Sequence, residues 1–164
     1  MPKSQGTKVR AKLPPDMLCF AVYSAAHAFS RAYRPLLAPH GLTYPQYLVM
    51  TLLWSADGLS VGEIGAPLLL DSGTLTPLLR RLEAADLVQR KRDTRDERQV
   101  RVRLTPKGHA LRERLADVPA QIGCDVGLQP AELAQMADRV GEIGRSLRAL
   151  AEGGHPAVKE DVDG

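Results

Sequence analysis

Residues 71–108 read DSGTLTPLLRRLEAADLVQRKRDTRDERQVRVRLTPKG, and a change of period inside them decides the fold. Asp71-Ser72-Gly73 is a break and a helix cap, and TLTPLLRRLEAADL reads as the helix that follows. Pro77 removes a backbone donor from it. Either the first turn is distorted or the regular helix starts later than Asp71, and the sequence leaves both open. After Leu87 the period falls to two. Val100, Val102 and Leu104 alternate with Arg101 and Arg103, which predicts a half-exposed strand. Val88–Arg92 is its partner, and Asp93-Thr94-Arg95-Asp96-Glu97 is the charged tip of the hairpin. Thr105 then caps a helix with Pro106 at its first position.

Working outward, Ser60 and Glu63 have capping-box spacing and predict a short helix to about Leu68. Asp57-Gly58 is a turn, and Tyr44 to Ala56 is a dense apolar run behind Thr43. Upstream, Leu18, Val22, Ala25/Ala26, Phe29 and Tyr33 recur at helical spacing. Asp16 is their expected cap, and Pro35 and Gly41 bracket the end. Downstream, the helix from Thr105 is expected to reach about Val118, where Pro119 ends or kinks it. Pro130 opens a last helix whose Leu133, Met136, Val140, Ile143, Leu147 and Leu150 follow a 3-4-3-4-3 seam, the pattern of paired helices.

Two short, tightly joined helices followed by a basic hairpin make a winged helix-turn-helix. The expected fold class is mainly α with a small antiparallel β-hairpin wing. The N- and C-terminal helices carry apolar stripes but no second core, so they are expected to form a dimer interface. The division expected is a mobile basic tail (1–13), an N-terminal dimerisation helix and connection (14–42), a DNA-binding lobe (43–118), C-terminal dimerisation helices (119–152) and a frayed tail (153–164). A monomeric helical bundle bearing a hairpin is the plain alternative.

The chain has 164 residues, 44% hydrophobic and 25% charged, which suits one globular domain with a helical appendage. No apolar run is long enough to span a membrane, and the basic start lacks the apolar core of a secretory signal. The expected address is therefore the cytoplasm, with both cysteines as thiols. The net charge is only +3, but Arg80 to Lys107 holds ten Lys/Arg against five Asp/Glu. Such a block points to a polyanion, or to a solvated patch. Neither a metal-site spacing of His and Cys nor a phosphate-cradling glycine loop is present, so no cofactor is expected.

LTPLLRRLEAADLVQRKRDTRDERQVRVRLTPKG resembles the recognition helix and wing of the MarR family of dimeric winged-helix regulators, over roughly Leu13 to Leu150. LCFAVYSAAHAFSRAYRPLLAPHGLTYPQYLVMTLLW and LLLDSGTLTPLLRRLE narrow the resemblance to the organic hydroperoxide resistance regulators, the OhrR group. The discriminating set is Cys19, Tyr33 and Tyr44 together with LDSGTLTP. Cys124 falls where the two-cysteine branch has its resolving thiol.

Cys19 lies in a first helical turn, where the helix dipole favours thiolate and the Asp16 carboxylate opposes it. A thiolate attacks a peroxide to give sulfenic acid, whereas a buried apolar cysteine is inert. Tyr33 shares a helix face with Cys19 but stands ~21 Å away along the axis. If it serves the thiol, it comes from a second, antiparallel subunit. The resemblance implies that role for the partner's tyrosines, with Tyr44 as second donor. Tyr23 is the one tyrosine near Cys19 in its own chain, and core packing is the alternative for all three. The resemblance also implies a disulfide from Cys19 to Cys124 of the other subunit.

For DNA, Ser72, Thr74 and Thr76 are expected at bases or phosphates, and Arg80 and Arg81 at phosphate. Arg98 at the wing is expected in the minor groove with Asp96 holding its guanidinium, beside Arg95 at the tip. Arg90, Lys91, Arg92, Arg101 and Arg103 are expected to contact phosphate or to supply field only. The expected function is a peroxide-sensing repressor, not an enzyme, with operator DNA, a second copy and an organic hydroperoxide as partners. A repressor answering a small apolar or phenolic effector is the alternative. A thiol peroxidase is a further one, disfavoured by the basic hairpin.

Overall fold

The computed structural model describes residues 17–93 and 99–153. Asp16, Arg95, Asp96, Arg98, the basic tail and nearly all of the acidic tail lie outside the described residues. Two compact units divide after Ala116.

In the first unit, α1 spans Leu18–Leu37. Its N-cap is Met17, which makes no side-chain cap bond, and Asp16, the expected cap, lies outside the described residues. The helix continues two residues past Pro35, and a 3-10 turn at Ala38–His40 then closes on left-handed Gly41. α2 spans Tyr44–Ser55. Gln46 Oε1 accepts both the backbone N–H of Thr43 (2.8 Å) and its hydroxyl (3.0 Å), which fixes the entry to α2. α3 spans Val61–Leu68 and α4 spans Ser72–Ala84. The capping box at Ser60 and Glu63 is present in both directions, at 2.7 and 3.2 Å.

α4 starts at Ser72, one residue after its N-cap Asp71, and runs through Pro77, so of the two alternatives the later start is the one observed. The carbonyl that Pro77 leaves without its helical partner belongs to Gly73, in the exposed first turn where water can serve it. Leu75, Leu78, Leu79 and Leu82 form the buried face of α4.

The sheet has three strands rather than two. β1 (Leu59–Ser60), β2 (Val88–Arg92) and β3 (Val100–Leu104) lie in the order β1-β3-β2, all antiparallel. The two hairpin strands have the predicted bounds. β1, only two residues long, is too short to show a period of its own. Register pairs Val88 with Leu104 and Arg90 with Val102, so Val88, Val102 and Leu104 turn into the core. Asp57 Oδ1 accepts the Leu104 N–H at 2.8 Å and pins the turn before β1 to the wing.

α5 spans Pro106–Arg114, capped by Thr105, whose hydroxyl accepts the Gly108 N–H at 3.0 Å. Gly108 has a packing reason. A Cβ there would collide with the Leu87 carbonyl oxygen. The Trp54 indole N–H donates to the Gly108 carbonyl at 2.9 Å, tying α2 to α5. The core of this unit joins the end of α1, α2, α3, α4, α5 and the sheet through Leu37, Met50, Leu53, Ile64, Leu75, Leu79, Leu82, Val102 and Leu111.

The second unit holds α6 (Val118–Val126) and α7 (Pro130–Ala151). The expected single helix from Thr105 to about Val118 is thus corrected. α5 ends at Arg114 and Pro119 opens α6 instead of closing α5. Pro119 is the second residue of α6, and a proline anywhere in the first turn costs no intrahelical hydrogen bond because the N–H groups there have no helical acceptor, so it starts a helix as readily as it stops one. Left-handed Gly127 ends α6. On α7 the seam side chains Met136, Val140, Leu147 and Leu150 are exposed. None of the described helices is long and apolar enough to cross a membrane.

Candidate nucleic-acid interface and thiol site

α4 presents its first turn to solvent. Asp71 accepts the Thr74 N–H (2.8 Å) through Oδ1 and the Thr74 hydroxyl (3.0 Å) through Oδ2. These bonds hold the Asp71 carboxyl below the usual carboxylate range. They also occupy the Thr74 hydroxyl, which is a cap partner before it is anything else. Ser72 is exposed and Thr76 half-buried, and Arg80 continues their i, i+4, i+8 stripe along the exposed side. Arg81 is exposed beside it.

The basic block divides into two kinds of arginine. Arg90 is bound to Glu83 of α4. Its Nε and Nη2 donate to Oε2 at 2.8 and 2.6 Å, and its backbone N–H donates to Oε1 at 3.0 Å. Glu83 is accordingly held below the usual carboxylate range, chiefly by the Arg90 side chain. Arg101 donates to Asp93 and reaches Glu63 and the Gly58 carbonyl at 3.2 and 3.1 Å. These two arginines are struts between the wing and the helices beneath it. Lys91, Arg92 and Arg103 are exposed and make no ion pair among the described residues. Lys91, Arg92 and Arg103 line an open hollow of about 710 Å³ on the wing with Gln89, Asp57 and Arg101. Arg95, Asp96 and Arg98, expected at the wing tip, lie outside the described residues.

Cys19 sits in the first turn of α1 and is exposed. Tyr23, one turn on, is also exposed and stands edge-on to His27, with ring centroids 4.5 Å apart. Tyr33 and Tyr44 come together at 4.7 Å between centroids, and Tyr47 joins them at 5.8 Å from Tyr33. Burial raises all three phenols above the ordinary tyrosine value. Tyr33 lies fourteen residues along the same straight helix from Cys19, so one chain does not bring the pair into contact. Tyr47 escaped the sequence reading, although TYPQY places it one helical turn after Tyr44. Trp54 extends the cluster at 6.1 Å from Tyr47.

Cys124 is exposed on α6. Val118, Ile122 and Val126 repeat every four residues, a signal too short to stand out between two prolines. Within the second unit Cys124 lines a cavity of about 620 Å³ with Gly123, Leu128, Pro130 and Leu133.

The family described as transcriptional regulator SarA/Rot matches residues 31–115. The HTH-type transcriptional regulator TtmR of Methylorubrum extorquens is 54% identical over 136 residues, 83% of this chain and 70% of that protein. The organic hydroperoxide resistance transcriptional regulator of Bacillus subtilis is 45% identical over 107 residues, 65% of this chain and 73% of that one. Among solved structures, reduced AbfR of Staphylococcus epidermidis bound to DNA superposes with a TM-score of 0.71 at 32% identity, covering 82% of this chain and 92% of that one. AbfR with its disulfide formed gives 0.59 at 31% identity, covering 77% and 88%.

Proposed function

The chain belongs to the SarA/Rot family of winged-helix, MarR-like transcriptional regulators, and from that premise we propose that it is a redox-sensing repressor of the two-cysteine OhrR type. The carrying observation is Cys19, an exposed thiol in the first turn of a long helix, in a chain that is 45% identical over 107 residues to a hydroperoxide-resistance regulator. The reduced protein is a cytoplasmic homodimer joined through α1 and α7, whose apolar stripes need a cover. It binds operator DNA through Ser72, Thr74 and Thr76 at the major groove, through Arg80 and Arg81 at phosphate, and through Arg95 and Arg98 at the wing, with Asp96 holding the Arg98 guanidinium.

The Cys19 thiolate attacks one peroxide oxygen of an organic hydroperoxide. The O–O bond breaks, the hydroxyl stays on sulfur so that Cys19 becomes a sulfenic acid, and the departing alkoxide takes a proton from solvent and leaves as the alcohol. Tyr33 and Tyr44 of the other subunit donate hydrogen bonds that favour the thiolate, and Tyr23 walls the site. The Cys124 thiol of the other subunit then attacks the Cys19 sulfur. An S–S bond forms and water leaves. A disulfide needs its Cα atoms within about 7 Å, so its formation pulls on the helices that space the two DNA-binding lobes.

One observation favours a second reading, an effector-responsive repressor. A hollow of about 310 Å³ in the first unit sets His40, Lys107 and Arg114 around Leu87 and Leu111, a setting for a small apolar acid.

The test is a non-reducing denaturing gel beside a DNA-shift assay after substoichiometric organic hydroperoxide. A reductant-sensitive dimer band appearing as the shift is lost supports the switch. Cys19→Ser is expected to bind DNA and ignore peroxide, and Cys124→Ser to form sulfenate without a cross-link. Release of Cys19→Ser by peroxide overturns the sensor. Loss of DNA binding without a band discards Cys124 as its partner.

A further inference from the structure

Six described residues adopt positive φ: Gly41, Gly58, Gly127, Gly153, Asp86 and Leu69. Four are glycines, which carry no Cβ penalty there, and aspartate is tolerated in this region. Leu69 is the exception. It stands at φ 55°, in the turn between α3 and α4, as the left-handed residue that closes α3. Its N–H donates to the Ala66 carbonyl at 3.3 Å and the Leu70 N–H donates to the Gly65 carbonyl at 3.0 Å. This is the helix-ending motif in which glycine is the usual residue.

A leucine there carries a second disadvantage. Its side chain is 65% exposed, more than any other large apolar side chain among the described residues. The others that are exposed belong to α1 and its cap, to α6 or to α7. Leu69 alone stands out on the lobe between α2 and α5. Within the chain this residue therefore stands in a strained backbone conformation with its side chain largely unburied.

Its place on the lobe says what covers it. Leu69 precedes the α4 cap Asp71 by two residues, so it flanks the turn that carries Ser72 and Thr74. A helix-turn-helix enters the major groove by that end. Apolar side chains read the groove at the C5-methyl of thymine. Resting on the DNA-binding reading above, we infer that Leu69 is a specificity-determining residue that packs against a thymine methyl at the edge of each half-site. The contact gains its burial only on DNA, which explains why an exposed, strained leucine stands where glycine would be easier.

The probe is a duplex selected by the wild-type protein from random-sequence DNA. Two variants separate the role from folding. Leu69→Gly relieves the backbone, and Leu69→Asn keeps side-chain bulk in a residue tolerant of positive φ. Both are expected to keep the melting temperature within about 2 °C of wild type or above it. Both are expected to bind the selected duplex about 5–30-fold more weakly, with binding to random duplex unchanged, the range of one lost base contact. Replacing single thymines of the duplex by uracil removes only the methyl. One position per half-site is expected to weaken the wild type and leave both variants unaffected.

Equal binding of the selected duplex by wild type and both variants overturns the inference, as does the absence of any uracil position sensed by wild type alone. A melting temperature lowered by more than 5 °C in both variants assigns Leu69 to packing and overturns it too. Failure of the wild type to select any sequence defeats the DNA-binding reading itself, a separate outcome.

Discussion

A guanidinium is the same group whether it grips a phosphate or a glutamate, and this sets what one residue's identity can tell. The basic block was visible as charge, but its sequence did not separate Arg90 and Arg101 from Lys91 and Arg103. The difference lies in Glu83, seven residues before Arg90, and in Asp93 and Glu63, which only the folded lobe delivers. Glu83 titrates lower in the folded chain than in the unfolded one. Its contribution to stability is therefore complete above the unfolded value of about 4.3 and is lost as pH falls through the depressed folded value. Glu83→Gln is expected to cost about 0.5 kcal/mol at neutral pH, since both side chains are partly exposed, and to flatten the acid limb of stability. Urea unfolding of both proteins between pH 3 and 7 checks this, and parallel curves would refute it. The thiol site divides the same way. Cys19, Tyr33 and Tyr44 were recognisable by spacing and resemblance, whereas Tyr47 became part of the phenol cluster only through the packing of α1 on α2.

At the scale of elements, signals of opposite strength met at proline. Pro106 with Thr105 read correctly because a cap stood beside it. Pro119 did not, because an opening proline and a closing proline look alike without a neighbouring cap side chain, and none bonds at Asp117. Pro77 sits inside α4 because the buried leucines on the opposite face hold the helix through it. β1 was invisible because its two residues pair only once β3 is in place. The junction of sheet and α5 is the least forgiving of these elements, since Gly108 rests directly on the Leu87 carbonyl and its own carbonyl receives Trp54. Gly108→Ala is expected to lower stability by about 2–4 kcal/mol, with backbone on one side and no flexible tip to yield. Denaturant melts measure it. A loss below about 0.5 kcal/mol, within the range of ordinary surface changes, would mean that the junction relaxes freely.

The whole molecule adds a question of cover. The seam on α7 was legible in the sequence, and four of its six side chains are exposed in one chain, Leu147 at 60% and Met136 at 56%. Exposed apolar stripes of this length mark an association surface. Under the dimer proposal, Leu147→Asp shifts the protein toward monomer and weakens operator binding at least tenfold, because two half-sites are no longer bound together. Sedimentation and a DNA-shift titration report the two effects. A dimeric Leu147→Asp protein with normal affinity would remove α7 from the interface. The arginine struts have a consequence at this scale as well. A phosphate neutralised by a free cation releases condensed counterions, which appear as a slope of about 0.9 per phosphate when binding is followed against ionic strength. Arg90 and Arg101 carry their own anions into the complex and have few counterions to release. Arg103→Ala should lower that slope by about one and Arg90→Ala should leave it unchanged while weakening binding at every ionic strength. Of the ten cations from Arg80 to Lys107, DNA should thus register at most eight.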